Sequence, residues 1–489
     1  MKFIGTREGD KVTGTAACVQ SFAANGGLFV PEKLPKLNEK EFAALLDMSY
    51  PERAAYITAK FFDECDEKEL LSVFEDTFSK FEGDDPVPLV RLDDGVYILE
   101  LFHGPTLSFK DISLSLMPHI LKKSDVGGKI LVLSASSADT GKAALEEFKD
   151  RENTLVAAFY PTEGISKLQK IHMTVQDGKN VLVAGIKGSA DDCHRAVREI
   201  FSAENTAVLQ EKGIVPVSVD ALNIGTLIPE IAYYFSAYAD LISSEQIEDG
   251  EEIDFTLPAG SLSNAVAAYY AKQMGLPVRR IHCASNLNKT LADFFKTGVY
   301  DINREIVRTT SPSMDLLLSV NIERLIFELS DRNCKLTSKR MQELNEIGRF
   351  SLTEEEKKKL CETFDGGFAS EEDSVEAMYD VFVDTGYTMD THTGCAMKVA
   401  VDWFEHNKKD ETKMVIISTA NPYKFPQDVL YAVTGNDVKD SFKGIKRLHA
   451  ATAMAVPAQL KNLRDKTPNF TKSADKKKVF AEVLEFISK

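Results

Sequence analysis

The feature that most constrains the fold is a series of short apolar segments that alternate with amphipathic helical stretches between residues 97 and 284. Each apolar segment is bounded by Gly, Pro or Asp, which is typical of strands in βαβ units around a parallel sheet. The fold class is therefore predicted to be α/β. The predicted strands cover residues 97–102, 130–133, 155–160, 181–184, 215–217, 255–257 and 281–284, with a later strand at 414–417.

Helical patterns flank this region on both sides. Residues 38–81 have helical periodicity, with Asn38 in a capping position and Pro51 at a helix start, which predicts an all-helical N-terminal unit ending near residues 84–86. Residues 321–406 are predicted to be mostly helical, with a capping box from Thr353 to Glu356. The acidic segment 245–252 indicates either a solvated connection between two sheets or an exposed helix end.

Charge, hydropathy and cysteine usage exclude several classes of partner. Lys and Arg number 58 and Asp and Glu 75, giving a net charge of −17, and no basic stretch is visible, so no nucleic-acid partner is predicted. No segment approaches the roughly 20 apolar residues of a membrane span, and the polar start of the chain does not resemble an export signal. Seven scattered cysteines without Cys-x-x-Cys spacing favour reduced thiols and a cytoplasmic location.

One strand-to-helix junction carries a lysine suited to covalent chemistry. Residues 99–111 read Leu-Glu-Leu-Phe-His-Gly-Pro-Thr-Leu-Ser-Phe-Lys-Asp, and a helical stretch follows at 112–121. Lys110 is therefore predicted at a helix N-terminus, where the helix dipole and a dry setting favour the neutral amine. A neutral amine can form a Schiff base with a carbonyl compound. The alternative is an ordinary solvated lysine after a turn.

Three further junctions follow predicted strands, at residues 134–141, 257–264 and 418–422. Hydroxyls, small residues and backbone N–H groups at helix N-termini suit a carboxylate or phosphate, although simple helix caps have the same composition. Because ligands of open α/β sheets bind at the carboxyl ends of the strands, the four junctions are expected to form one site. A P-loop is excluded, since no Gly has the required spacing and Ala143 replaces the magnesium ligand.

Other enzyme classes lack their sequence signals. The eight histidines have no spacing suited to a metal, so no metal site is predicted, and His103 and His392 are expected to pack or form hydrogen bonds. A serine hydrolase is disfavoured because no Gly-x-Ser-x-Gly motif occurs.

Taken together, these segments resemble the threonine synthase family, which comprises pyridoxal 5′-phosphate (PLP) enzymes of fold type II, the tryptophan synthase β-like fold. The segment at 99–111 is close to the family's cofactor-lysine motif, and the resemblance continues at 26–32, 295–300, 311–315 and 419–425. It implies two α/β domains with parallel-rich sheets and a helical N-terminal unit. The implied ranges are the N-terminal unit at 1–85, the cofactor-lysine part of the large domain at 86–128, a smaller α/β domain at 129–245, and the large domain with a helical insertion at 246–489.

The resemblance also implies roles for individual residues. Lys110 would link the cofactor and move protons, Asp139 would lie beside the cofactor's ring hydroxyl, and Thr419 would face its pyridine nitrogen. Unlike a carboxylate, a hydroxyl at that position does not hold the pyridine nitrogen protonated, so the cofactor ring would withdraw electrons less strongly. The cofactor-phosphate loop would comprise Gly260, Ser261, Leu262, Ser263 and Asn264, and the substrate would be held by Thr106, Ser136, Ser137, Thr140 and Asn223.

The family reaction converts O-phosphohomoserine and water to threonine and phosphate, but this chain departs from the family's substrate-phosphate motif. The family carries Asn, Ser and Arg where this chain has Asp220, Ala221 and Thr226. Each lost charge-assisted contact to the phosphate costs on the order of 1.5–3 kcal/mol of binding free energy. Lys142 and Lys424 are candidates to replace the lost contacts. Ala138 also replaces a family glycine.

Three hypotheses follow from this comparison: a working threonine synthase, a sister PLP lyase acting on a different amino acid, and a non-catalytic relative. The partner implied is a small amino-acid substrate, and the chain is expected to be a monomer or a homodimer.

Overall fold

The computed structural model describes residues 1–9, 11–124, 126–135 and 139–488. Its strands are β1 (Lys2–Gly5), β2 (Lys11–Thr13), β3 (Phe29–Pro31), β4 (Leu89–Asp93), β5 (Val96–Glu100), β6 (Lys129–Ala135), β7 (Thr154–Pro161), β8 (Val181–Ile186), β9 (Ile214–Ser218), β10 (Ile253–Pro258), β11 (Val278–Ser285), β12 (Val299–Asp301), β13 (Arg349–Ser351), β14 (Phe364–Phe368), β15 (Met414–Ser418) and β16 (Ser473–Ala474).

The helices are α1 (Gly14–Gln20), α2 (Glu39–Leu46), α3 (Tyr50–Phe61), α4 (Glu67–Phe78), α5 (Lys110–Leu114), α6 (Met117–Lys123), α7 (Asp139–Phe148), α8 (Lys167–Thr174), α9 (Ala190–Glu199), α10 (Ala203–Glu211), α11 (Ile224–Leu227), α12 (Pro229–Ser243), α13 (Ser263–Met274), α14 (Thr290–Thr297), α15 (Ile322–Leu329), α16 (Cys334–Ile347), α17 (Glu354–Thr363), α18 (Glu371–Thr385), α19 (Thr391–His406), α20 (Pro426–Thr434), α21 (Ser441–Thr452), α22 (Ala458–Lys461) and α23 (Val479–Ile487).

A six-stranded sheet with the order β14-β11-β10-β15-β5-β4 forms the larger α/β unit. All neighbouring strands are parallel except the β4–β5 pair. The predicted strands in this region are confirmed by β5, β10, β11 and β15. The edge strand β14 was not predicted, because its sequence Phe-Asp-Gly-Gly-Phe lies inside a helical region and contains two glycines, which are depleted in strands.

A second, parallel sheet with the order β16-β8-β7-β6-β9 forms the smaller α/β unit. Its first four strands in the chain, β6 to β9, confirm the predictions. The end of the chain returns to this sheet: Ala474 pairs with Ile186, and α23 buries Val479 and Val483 in the same apolar core as Leu131. The predicted assignment of residues 246–489 to the large domain is therefore wrong for this last segment, whose apolar face completes the smaller core.

The N-terminal unit is not all-helical as predicted. Strands β2, β1 and β3 form a small antiparallel sheet, which the sequence prediction missed because each strand has only three or four residues. The predicted helices are present as α2, α3 and α4. Asn38 caps α2 and Thr353 caps α17 with a capping box to Glu356, as predicted. Asn38 also forms a capping box with Glu41.

The connection between the two α/β units runs through α12 and the acidic segment 245–252. Helix α12 is apolar over most of its length and is buried from Pro229 to Ala239. The acidic segment that follows is mostly exposed and leads into β10, so it is the predicted solvated connection. No helix in the described ranges is both long and apolar enough for a membrane crossing, and all seven cysteines are free.

Candidate active site

Lys110 begins helix α5, as the sequence predicts, and its side chain is only 7% exposed. The segment before it is fixed to the end of β15, because the Phe109 N–H donates to the Thr419 carbonyl at 3.0 Å and Ser108 pairs with Ala420. The amine lies 4.1 Å from the centroid of the Phe109 ring. This places a buried amine at the carboxyl ends of the large sheet's strands, where open α/β sheets bind ligands.

The partner of Lys110 is Glu230 on α12, whose side chain is fully buried. Its Oε1 atom accepts from the Lys110 Nζ at 3.2 Å and from the Ser113 hydroxyl at 2.6 Å. Its Oε2 atom is buried without a hydrogen-bond partner in the described residues. A buried carboxylate oxygen without a hydrogen-bond donor is energetically costly, because its desolvation is not compensated.

The segment 260–264 forms a cradle of backbone donors at the start of α13. No acceptor in the described part of the chain takes the backbone N–H groups of residues 260–265, and no side chain caps α13. Leu262 adopts a left-handed conformation with φ of 63°, which is strained for a leucine. A Cβ atom on Gly260 would lie 2.7 Å from the Ser313 carbonyl oxygen. Such a row of free donors at a helix N-terminus is suited to a phosphate.

Helix α12 joins this cradle to the lysine. The Tyr234 hydroxyl donates to the Asn264 carbonyl at 2.8 Å, and the Tyr233 hydroxyl binds the Asn264 side-chain oxygen. Because Glu230 lies one turn earlier on the same helix, Lys110 and the cradle are positioned by a single buried element. The two groups therefore belong to one site.

Asp139 begins helix α7 and forms an ion pair with Lys424. Its Oδ2 atom also accepts from the Ser313 hydroxyl at 3.2 Å. Burial raises the pKa of Asp139, but the charge and hydrogen bond of Lys424 outweigh this effect, so the pKa lies below its ordinary value. Asp139 is thus held as a carboxylate, and the backbone carbonyl of Ser313 lies beside Gly260 of the cradle.

His392 supports Ser313 from helix α19. Its Nε2 atom accepts from the Ser313 backbone N–H at 3.1 Å, and its Nδ1 atom contacts Asp390 at 2.6 Å. This confirms the prediction that His392 is a hydrogen-bonding residue. No cluster of metal-ligating side chains is found in the described ranges.

Thr106, predicted as a substrate residue, binds within the protein. Its backbone N–H and hydroxyl both donate to the Asp111 carboxylate, at 2.8 and 2.6 Å. Burial raises the pKa of Asp111 to about 6. Lys424 donates to the Thr106 carbonyl at 3.3 Å, so the loop before Lys110 is tied to the Asp139 ion pair. Thr106 therefore acts here by positioning this loop.

The segment 220–226 shows what the departures from the family motif do. The Asp220 carboxylate is partly buried and accepts from the Ser134 hydroxyl at 2.7 Å and the Ala135 N–H at 3.2 Å. Burial raises its pKa, while the charges of His194 and Lys110 oppose this. The Asn223 amide group donates to the Cys18 and Ser218 carbonyls, both at 2.7 Å. The Thr226 hydroxyl donates to the Asn223 carbonyl at 2.8 Å.

Several predicted site residues remain predictions. Ser136, Ser137 and Ala138 lie outside the described residues. Thr140 lies in the first turn of α7 and Thr419 directly after β15, both beside residues of the site, but no ligand contact tests them. Lys142 does not compensate for the altered motif, because it is buried against Gln176 and Glu146.

Glu230, Ser313 and the role of His392 toward Ser313 were not predicted from the sequence. One signal was present for Glu230: it is the only acid in the apolar stretch 228–239, and a charged residue that is fully buried in a helix usually has a specific partner. Nothing local indicates that Ser313 touches both Asp139 and the cradle.

Two family models match this chain. Residues 2–78 match the model of the threonine synthase N terminus, and residues 393–487 match that of the threonine synthase C-terminal region. Among relatives, threonine synthase of Pseudomonas aeruginosa is 31% identical over 441 residues, which are 89% of this chain and 91% of that protein. Human threonine synthase-like 1 is 35% identical over 439 residues, which are 87% of this chain but 58% of that longer protein.

Solved structures agree with these matches. The PLP-bound threonine synthase of Brucella melitensis superimposes with a TM-score of 0.86 at 29% identity, covering 99% of both chains. Yeast threonine synthase gives a TM-score of 0.86 at 26% identity and covers 100% of this chain and 99% of that one. Both comparisons extend over the large sheet, the smaller sheet and the N-terminal unit, and they identify the fold as fold type II.

Proposed function

This chain belongs to the threonine synthase family, and we propose that it is a PLP-dependent enzyme that converts O-phosphohomoserine and water to threonine and phosphate. The observation that carries the proposal is the buried Lys110 amine, which α12 connects to a cradle of free N–H groups at residues 260–265. A buried lysine and a phosphate cradle at one sheet edge are the two anchors that an aldehyde with a phosphate group requires.

The residues present fit the cofactor. The amine of Lys110 would bond to the cofactor, and the N–H groups of residues 260–265 would hold its phosphate, since no group in the described residues uses them. Asp139 is proposed to lie beside the ring hydroxyl and Thr419 to face the pyridine nitrogen. When bound, PLP supplies an electron sink that stabilises negative charge on the neighbouring substrate carbon.

Lys110 is proposed to be the acid–base residue as well. Glu230 holds its amine at 3.2 Å, and the Ser113 hydroxyl fixes the same carboxylate oxygen at 2.6 Å. A carboxylate in this position stabilises the protonated amine when Lys110 has taken a proton from the substrate. Glu230 is therefore proposed as a positioning residue that acts through Lys110.

The substrate carboxylate is proposed to bind near the N-terminus of α7, where Thr140 and the predicted residues Ser136 and Ser137 lie in the sequence. Free donors at a helix N-terminus favour a carboxylate. Asn223 is retained from the family motif, but its amide donors already bind Cys18 and Ser218, so its proposed contribution is to hold the loop at 220–226 in place.

A second candidate is a sister PLP lyase that acts on an amino acid without a phosphate group. It is favoured by the Asp220 carboxylate, which replaces a neutral phosphate ligand of the family, and by Thr226, which cannot supply the bidentate contact of an arginine. The human relative, which is 35% identical to this chain, is named threonine synthase-like 1 rather than threonine synthase.

Product analysis separates these candidates. The PLP-loaded protein is incubated with O-phosphohomoserine, and phosphate, threonine and 2-oxobutyrate are quantified together, with Lys110→Ala as the inactive control. Threonine in equal amount to phosphate supports the synthase, and 2-oxobutyrate indicates elimination without productive water addition. Absence of phosphate release by a protein that carries PLP would contradict the proposal and favour the sister enzyme or a non-catalytic relative.

Restoring the family motif tests the role of the altered residues. The triple variant Asp220→Asn, Ala221→Ser, Thr226→Arg is expected to increase phosphate release from O-phosphohomoserine. An unchanged rate in a folded, PLP-loaded variant would show that these positions do not limit the reaction. We also infer a cytoplasmic location, which seven free cysteines support; a monomer or homodimer remains the expected state.

A further inference from the structure

A concave, basic surface lies at the C-terminal end of helix α19. Its cavity of about 560 Å³ is lined by Arg279, Arg280, Trp403, His406, Asn407, Lys408, Lys409 and Asp410. Four of these side chains are cationic and one is a carboxylate, in a chain whose net charge is −17. The surface is assembled from the start of β11 and the end of α19, so no basic stretch in the sequence indicated it.

One wall of this cavity is held rigidly. Arg279 forms ion pairs with the buried Asp254 and with Asp410. The Trp403 indole N–H donates to Asp410 at 3.0 Å, and its ring lies 4.5 Å from the His282 ring. The charge of Arg279 is therefore already neutralised by two carboxylates, and its contribution to the cavity is to fix the shape.

The remaining cations form no close ion pair within the part of the chain that the structure describes. No carboxylate in the described ranges forms an ion pair with Arg280, Lys408 or Lys409, and both lysines are exposed. Arg280 donates one hydrogen bond, to the Cys361 carbonyl at 3.2 Å, and its guanidinium carbon lies 5.4 Å from the centroid of the Trp403 ring. Burial raises the pKa of nearby Asp365, but its contact with His282 at 3.4 Å and the charge of Arg280 bring this pKa below its ordinary value, so Arg280 interacts with this carboxylate through charge alone. Donors of Arg280 and both ammonium groups therefore remain available around one cavity.

We propose that this cavity binds a small phosphate-bearing anion. Phosphate oxygens suit the available donors. The planar guanidinium of Arg280 can donate two parallel hydrogen bonds, and the two lysine ammonium groups add compact positive charges. Trp403 is already engaged by His282, Arg279 and Arg280, so recognition rests on charge rather than on stacking of a ligand ring. The alternative role of these cations is to complement the carbonyl groups at the end of α19.

The site is separate from the candidate active site. Helix α19 has 16 residues and is therefore about 24 Å long. Its first turn carries His392, which contacts Ser313 in the active site, whereas Trp403 and His406 lie in its last turn. A phosphate held by the cradle at 260–265 would thus not occupy this cavity.

Trp403 provides a direct readout because it is the only tryptophan in the chain. The full, PLP-loaded protein is titrated with inorganic phosphate, pyrophosphate and AMP at physiological ionic strength, and Trp403 fluorescence and heat are recorded. A saturable change in both signals is expected. Tighter binding of pyrophosphate than AMP would identify an inorganic ligand, and the reverse order would identify an organic phosphate; either result supports the proposal.

Matched variants distinguish binding at this cavity from general electrostatic attraction of anions to surface lysines. The double variant Lys408→Ala, Lys409→Ala is expected to weaken binding about tenfold or more, since each lost charge-assisted contact costs affinity. Arg280→Ala is expected to weaken it further. The control Lys477→Ala, Lys478→Ala removes the same charge from an exposed segment and should leave binding unchanged. Absence of binding, or equal weakening in the control, would overturn the proposal.

Discussion

Glu230 lies fully buried with one carboxylate oxygen 3.2 Å from the Lys110 amine, and the two residues are 120 positions apart in the sequence. Ser113, one turn after Lys110, donates to the same oxygen at 2.6 Å. The start of α5 and the buried helix α12 are thus joined at the point where the cofactor would bind. An ion pair in this setting is energetically coupled, because either charge alone would be buried without compensation.

Glu230→Ala is therefore expected to lower the free energy of unfolding of the cofactor-free protein by about 3–5 kcal/mol, since it leaves the Lys110 ammonium unpaired. The double variant Glu230→Ala, Lys110→Ala is expected to lose much less than the sum of the single losses. Urea unfolding of the four proteins measures this coupling. Ser113→Ala, which removes only a hydroxyl donor, should cost about 1 kcal/mol. If the stability losses of the two single variants added up in the double variant, Glu230 and Lys110 would not be energetically coupled.

The Lys110 junction was predictable because its signals are local. An apolar strand, a turn containing Gly104 and Pro105 and a following helix fix the lysine at a helix N-terminus whatever surrounds it. The loop at 260–264 before α13 was predictable for the same reason; its role toward a phosphate stays a prediction. Glu230 was not, because its contact with Lys110 depends on how α12 packs across both units.

Other features were also beyond local sequence signals. The C-terminal strand β16 joins the smaller sheet through pairing with β8, almost 290 residues earlier in the chain. The basic cavity brings together Arg280 and Lys408 from two separate elements. The family resemblance implied that Asn223 binds the substrate. In the structure its amide group donates to two backbone carbonyls, and only the tertiary structure reveals these contacts.

The ion pair between Lys424 and Asp139 should control stability at acid pH. Burial alone would raise the pKa of Asp139, but Lys424 brings it below its ordinary value. The carboxylate therefore stabilises the folded state above the unfolded pKa of about 3.9, and this contribution is lost as pH falls through the lower, folded pKa.

Lys424→Met removes the strongest group that opposes the burial of Asp139 and leaves only the Ser313 hydrogen bond and the charge of His392, so its folded pKa should rise. The variant is expected to be less stable than the parent at pH 7, and the difference should shrink as pH falls toward 4. Urea midpoints measured from pH 4 to pH 8 check this. Lys446→Met, at an exposed lysine, is the control. A difference that stays constant with pH would show that Asp139 is not the titrating partner.

Asp220 should have the opposite pH dependence, because burial raises its pKa. Its contribution to folded-state stability is full below the unfolded pKa of about 3.9 and falls as pH rises through the higher, folded pKa. Asp220→Asn removes this fall, so the variant should gain stability relative to the parent between pH 5 and pH 8. Asp437→Asn, at an exposed position, should show no such trend. Parallel curves for Asp220→Asn and the parent would contradict the assignment.

Gly260→Ala tests the cradle directly. The added Cβ atom would lie 2.7 Å from the Ser313 carbonyl oxygen, so either the cradle or the segment that carries Ser313 must shift. Overpacking of this kind costs about 1–3 kcal/mol, and the N–H groups that follow would lose their alignment. We expect the dissociation constant for PLP, measured from the absorbance of the bound cofactor, to increase about tenfold. Gly9→Ala, where the new Cβ atom meets nothing within 4 Å, should leave it unchanged. Equal PLP affinity in both variants would show that residues 260–265 do not hold the cofactor phosphate.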